Sequence, residues 1–292
     1  MARKIDLVAS YWTLAGDCYA LGPNEVATIP LRERIEAAAW AGYKGMGFAH
    51  QDLIATKKAI GYKAMKRMLD DHGLPHVEVE FLGDWFTTGD QKKASDAIRR
   101  DLLEAAHELD ARNVKVAGEM WTETCDVPRY AAAFADVCES FKAIGKEVAI
   151  EILPMTNIRT LETGVGIAGQ AGHDNGGLCV DIWHFTRGNI AFDKLRKTNG
   201  KFIKSVELDD ARAEMIGTIW EDTLFQRLYP GEGVFDCVGF IDAVEATGFN
   251  SFYGVEIINE NYRKLPVREQ AKRSFDGSMA QIAKWQDAQA KA

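Results

Sequence analysis

The sequence lacks any apolar run approaching the roughly 18 residues that cross a bilayer, which excludes a membrane helix and a membrane partner. Its start, MARKIDLVASYW, is basic but leads into only a brief apolar stretch broken by Asp6. No export signal is read there, and a soluble, cytoplasmic protein is the expectation. Cysteine is sparse: Cys18, Cys125, Cys138, Cys179 and Cys237 are odd in number, widely spaced and form no C-x-x-C pair. That suits neither a disulfide framework nor a zinc ribbon, and the thiols are expected to be reduced and mostly buried. Positive charge is also short, with 35 Lys and Arg against 43 Asp and Glu for a net charge of −8. Without a basic field to draw a phosphate backbone, nucleic acid is excluded as the partner class and small solutes fit better. No Pro-rich or Ser-rich linker, low-complexity segment or composition shift divides the chain, so residues 1–292 are read as one domain.

What the sequence does contain is alternation. Short apolar runs rich in β-branched residues recur: 5–11, 44–49, 76–82, 113–119, 147–153, 177–183, 202–208 and 252–258. Between them lie segments with apolar positions three and four apart, such as LRERIEAAAWAG, KKAIGYKAMKRMLDDHG, ASDAIRRDLLEAAHELD and YAAAFADVCESFKAIG. Gly42, Gly73 and Gly145 punctuate helix ends, and a last helix, VREQAKRSFDGSMAQIAKWQDAQAKA, runs into a polar tail. Strands joined by crossover helices form a parallel sheet, and eight of them favour a closed (β/α)8 TIM barrel over a doubly wound open sheet.

Four late runs end in a carboxylate set in apolar sequence: Glu151 in AIEIL, Asp181 in CVDIW, Glu207 in SVELDD and Glu256 in GVEII. Any one alone reads equally well as a satisfied structural acid. In a parallel barrel, however, the C-terminal strand ends converge on one rim, and four acids there repel one another unless a cation intervenes. Oxygen donors with at most one imidazole suit Mn²⁺ or Mg²⁺ foremost, with Co²⁺ or Zn²⁺ as alternatives. His184, three residues after Asp181, falls just beyond its strand end, where it reaches a substrate hydroxyl or the surroundings of the metal; a core histidine is the plainer alternative. His50, Glu80 and Arg227 are weaker substrate-binding candidates, as are Glu119 and Glu232; Arg227 beside the Gly-rich loop suits a carboxylate or phosphate. Trp12, Trp85, Trp121 and Trp183 fall near strand ends and suggest an aromatic wall fitted to a bulky or cyclic substrate.

The segments IEILPMTNI, GGLCVDIWHFTRGN, VELDDA, RLYPGEGVFD and YGVEI, in this order, resemble the xylose-isomerase-like sugar phosphate isomerase/epimerase superfamily over most of the chain. The resemblance implies that Glu151, Asp181 and Glu256 are metal ligands, that His184 contacts substrate, and that Glu151 and Glu256 are also the acid/base pair. At position 207, where many epimerases carry His and dehydroshikimate dehydratases carry Gln, this chain has Glu. The endonuclease IV branch gathers several His around three zinc ions, whereas this chain has six His in all, few of them near strand ends.

A metal-bound hydroxyketone loses a proton to give an enediolate, from which isomerisation, epimerisation and β-elimination all proceed. The leading expectation is a divalent-metal-dependent isomerase or epimerase of a sugar-like hydroxyketone. The runner-up is a lyase or dehydratase on a keto-polyol, of inosose, dehydroshikimate or ketoglycoside type. A non-catalytic metal- and ligand-binding barrel subunit is the alternative of another class. Barrels of this kind often pair through their outer helices, which leaves a homo-oligomer open.

Overall fold

The computed structural model describes residues 3–291. Eight parallel strands close on themselves in chain order: β1 (Leu7–Ala9), β2 (Gly45–Ala49), β3 (His76–Leu82), β4 (Asn113–Ala117), β5 (Glu147–Glu151), β6 (Gly176–Asp181), β7 (Ile203–Leu208) and β8 (Tyr253–Val255). Each expected strand is present, most of them shorter than the apolar run that marked it, because the ends of the runs turn into the loops. The helices are α1 (Tyr11–Leu14), α2 (Leu31–Ala41), α3 (His50–Ala59), α4 (Tyr62–Asp71), α5 (Gly89–Glu108), α6 (Val127–Lys142), α7 (Leu161–Ala171), α8 (Ile182–Arg187), α9 (Phe192–Arg196), α10 (Ile219–Phe225), α11 (Cys237–Ala246) and α12 (Val267–Gln289). The periodic stretch KKAIGYKAMKRMLDDHG, expected as one helix, is divided between α3 and α4. Gly61 stands at the break with φ of 78°, a left-handed conformation that ends one helix and opens the next.

The two-residue period of the strands sorts side chains to opposite sides of the sheet. Met46 and Phe48, Val77 and Val79, Val114 and Val116, Val148 and Ile150, and Leu178 and Val180 point out and pack with the helices in one large apolar core. The intervening positions point inward and carry a different chemistry. Ser10, Glu78, Glu80, Lys115, Cys179, Ser205 and Glu207 are all buried within the barrel. Ser10 follows β1 yet bonds Glu207 on β7, and Ser205 on β7 bonds Glu78 on β3, so these contacts cross the lumen rather than run along the sheet. Apolar packing outside thus holds a polar interior in place. Register brings the strand ends level, with Ala117 beside Glu151, Asp181 beside Glu207 and Glu207 beside Gly254.

Candidate active site at the strand ends

One ligand atom from each of Glu151, Asp181, Glu207 and Glu256 lies within 4.8 Å of the other three, and Glu151, Asp181 and His184 form an overlapping group. All five residues are buried. The structure therefore brings together the four acids read from the sequence, adds Lys115, which the sequence reading passed over, and turns Arg227 onto the acids. Lys115, at the middle of β4, bonds Glu207 and lies 3.1 Å from Glu80 and 3.7 Å from Glu78. Ser10 Oγ and Cys179 Sγ also donate to Glu207, at 2.7 and 3.4 Å. Arg227 Nη1 reaches Asp181 at 2.8 Å, Asp209 at 2.6 Å and Glu256 at 3.0 Å, while Nη2 donates to Thr223 at 2.9 Å.

Asp181 serves two structures at once. It ends β6 and caps α8, its Oδ1 accepting from the backbone N–H of Trp183 at 2.6 Å and of His184 at 3.2 Å, which leaves Oδ2 for Arg227. The cap also fixes His184, whose Nε2 lies 2.9 Å from Glu151 Oε1 and 3.3 Å from Arg227. His184 Nδ1 is buried without a partner.

The electrostatics follow from burial. Glu256 is pushed well above the usual carboxylate range by burial and by the neighbouring Glu207, with Arg227 opposing. Burial raises Glu207 as well, against the pull of Lys115. Burial and Asp181 raise Asp209. Glu80 is pushed up to about 7 by burial, offset in part by Lys115. Asp181 goes the other way: burial works to raise it, but Arg227 and His184 outweigh that and hold it below the ordinary value. Lys115 stays charged despite burial because Glu207, Glu80 and Glu78 surround it.

The sequence profile of the xylose isomerase-like TIM barrel family matches residues 35–281. The chain belongs to this family. It is similar to an inosose isomerase of Bacillus velezensis, 28% identical over 153 residues that cover 52% of each chain. It is also similar to a 3-dehydroshikimate dehydratase of Pseudomonas putida, 24% identical over 85% of this chain and 40% of that protein. The matched stretches thus span about half the length of these curated relatives, or less. Among solved structures, IOLI protein with a bound zinc atom superposes with a TM-score of 0.81 at 18% identity, covering 96% of this chain and 99% of that one.

In this xylose isomerase-like barrel the remaining expected site residues divide. Glu80 lies inside, against Lys115. Arg227 is central, but its guanidinium is engaged by three acids rather than left free for a substrate anion. Trp12 closes a small apolar cluster with Tyr11, Ala49 and Ile258. His50 is not grouped with the acids: its ring turns to Asp101 of α5 at 2.9 Å, because the residue opens α3 rather than ending β2. Glu119 is exposed, and Glu232 bonds Tyr262 and Arg273 on the outside. Of the expected aromatic wall, Trp85 and Trp183 are fully buried structural residues, whose indole N–H groups donate to Ala117 O and Asp222 Oδ2. Trp121 alone of the four is exposed.

The Gly-rich loop has a structural explanation. Asp210 accepts backbone N–H bonds from Gly231, Gly233 and Phe235, each at 2.9 Å, and pairs in both directions with Leu228 through its backbone. A Cβ on Gly233 would stand 2.2 Å from Ala211 O, so only glycine fits. This anchoring sets Arg227 at its position beside the acids. The second Asp of VELDD was the available signal for it.

Proposed function

We propose that the centre holds one divalent cation and that the protein enolises a sugar-like hydroxyketone, as an isomerase or epimerase. The observation that carries this reading is the convergence of four buried carboxylates within 4.8 Å. The residues present fit such an ion. Among the described residues, Glu78, Glu80, Glu151, Asp181, Glu207, Asp209 and Glu256 face Lys115 and Arg227 as the full cations, and Glu207 and Glu256 hold their protons more tightly than ordinary carboxyls, through burial first and then through the neighbouring acids. Glu151, Asp181, Glu207 and Glu256 would hold the ion, and a set made wholly of oxygen donors favours Mn²⁺ or Mg²⁺. The similar solved structure that holds a zinc atom is in keeping with a divalent ion in this fold. Once bound, the ion supplies Lewis acidity that makes the hydrogen beside a carbonyl removable.

The chain's own groups do the rest. Glu151 and Glu256 stand on strands separated by β6 and β7, which suits proton transfer on two sides of one substrate carbon. His184 spends Nε2 on Glu151 and keeps Nδ1 for a substrate oxygen. Burial of the whole group excludes water, which strengthens each interaction and limits loss of the abstracted proton. Resemblance to the inosose isomerase favours a cyclic polyol ketone as substrate. The longer match to the dehydratase favours a second reading, in which a β-hydroxyl leaves the same intermediate.

The test is exchange of solvent deuterium into a panel of ketoses and keto-polyols. Exchange into one member is expected, with Glu151→Gln lowering the rate by about 10²–10⁴-fold. Full activity in that variant would rule the assignment out. A new ultraviolet-absorbing enone product marks the dehydratase reading, and a bound ketose without exchange marks a non-catalytic barrel.

A further inference from the structure

We infer that the barrel mouth carries a subsite for a flat apolar substituent of the substrate, built by Trp121 and Trp220 beside the acid centre. The inference rests on the reading that the polyol part of the substrate sits at the acids.

Trp121 follows β4 and is 64% exposed, yet its backbone is firmly held. It adopts a left-handed φ of 59°, and its N–H donates to Met155 O at 2.8 Å. The preceding residues are tied to the loop after β5 as well: Met120 bridges to Thr156, and Glu119 and Asn157 exchange two hydrogen bonds of 3.0 Å. A large apolar ring on so fixed a backbone keeps its face toward solvent without the ordering cost that a mobile loop would add on binding. Trp220, which opens α10 after β7, meets it edge to face with ring centres 5.8 Å apart and planes at 73°. An edge-to-face pair leaves ring surface available to a third aromatic group.

The pair is linked to the centre through packed side chains. Trp220 and Met120 pack on the buried cluster of Met155, Trp183 and Ala211. The Trp183 ring in turn lies 5.2 Å from the His184 ring and 5.4 Å from the Arg227 guanidinium carbon. An apolar path therefore leads from the exposed indole to two residues that touch the acids. Met215 and Ile216, just before α10, add exposed apolar surface to the chain segment that carries Trp220. The loop of Trp121, residues 118–126, contains no Lys or Arg to attract a phosphate or carboxylate; it carries the exposed Glu119, and Glu123, which pairs with Arg159 at 3.3 Å. The fitting class is a glycoside or ring polyol with an aryl substituent, rather than a free sugar or a phosphate ester.

The experiment compares phenyl β-D-glucopyranoside with methyl β-D-glucopyranoside by calorimetric titration of the Mn²⁺-supplemented protein. Stacking on one indole is expected to make the phenyl compound bind about tenfold more tightly, the upper range for one aromatic contact. In Trp121→Ala that ratio should fall to near one with methyl glucoside binding unchanged, and Trp220→Ala should reduce it in part. Trp121 is exposed, so the variant is expected to keep the wild-type circular dichroism spectrum, which checks folding. Equal binding of the two probes, binding of neither, or parallel weakening of both in Trp121→Ala overturns the inference. A Trp121-dependent preference with no deuterium exchange into any ketone would uphold the subsite while refuting the enolisation reading.

Discussion

Lys115 is the residue on which the polar interior most depends. It is fully buried among Glu78, Glu80 and Glu207, and removing one partner from such a set leaves charge without compensation. Lys115→Met is expected to cost about 3–5 kcal/mol, read by urea unfolding of chelator-treated protein; an unchanged midpoint would contradict that role. Glu80 gives the interior a pH signature. Its value of about 7 in the fold lies above the ordinary 4.5, so its contribution to stability is fully present below the ordinary value and lost as pH rises through about 7. In chelator-treated protein, Glu80→Gln should flatten the fall in unfolding free energy across that window, and parallel profiles for variant and wild type would show that Glu80 is not its source. At this scale the four acids were legible as a set: any one alone reads equally well as a structural acid, but four on successive strand ends converge on one rim. Lys115 was not, since NVKVAGE reads equally well with its lysine facing water, and only the closed barrel turns that face inward. His50 misled for a related reason: proximity to a strand end does not fix which way the ring turns, and Asp101 on α5 captures it.

Strands and loops divide the work of building the centre. Strands β3 to β7 each deliver one or two inward polar groups, while the loops after β6 and β7 set the angles of His184 and Arg227 through the carboxylates of Asp181 and Asp210. Crowding at Gly233 makes this dependence testable. Gly233→Ala would force backbone oxygen and the Asp210 carboxylate apart, at an expected cost of about 1–3 kcal/mol. It should lower the melting temperature and the deuterium-exchange rate together while the circular dichroism spectrum stays that of a barrel. Unaltered melting and exchange would mean that the loop adapts and does not position Arg227. The eight strands were readable from β-branched runs because every barrel strand is buried on both faces. The division between α3 and α4 was not, since the apolar period continues across Gly61 and only its positive φ breaks the helix.

For the whole molecule, the closed sheet supplies apolar packing on the outside and concentrates acid at one end of the inside. Among the described residues no helix is long and apolar enough to cross a membrane. Family membership was foreshadowed by the order of motifs and barrel closure by the eight repeats, but the choice among isomerase, epimerase and dehydratase was not, because all three reactions can proceed from one enediolate. A cation that binds only the folded barrel should stabilise it by about 2.7 kcal/mol at a concentration one hundred times its dissociation constant. The most direct measurement is therefore titration of Mn²⁺ into chelator-stripped protein, beside Glu207→Ala and Glu256→Ala. The account predicts one ion per chain in the native protein, with a matching rise in melting temperature, and weakened or absent binding in both variants. No binding to the native protein, or undiminished binding to the variants, would contradict the claim that these four carboxylates form a metal centre.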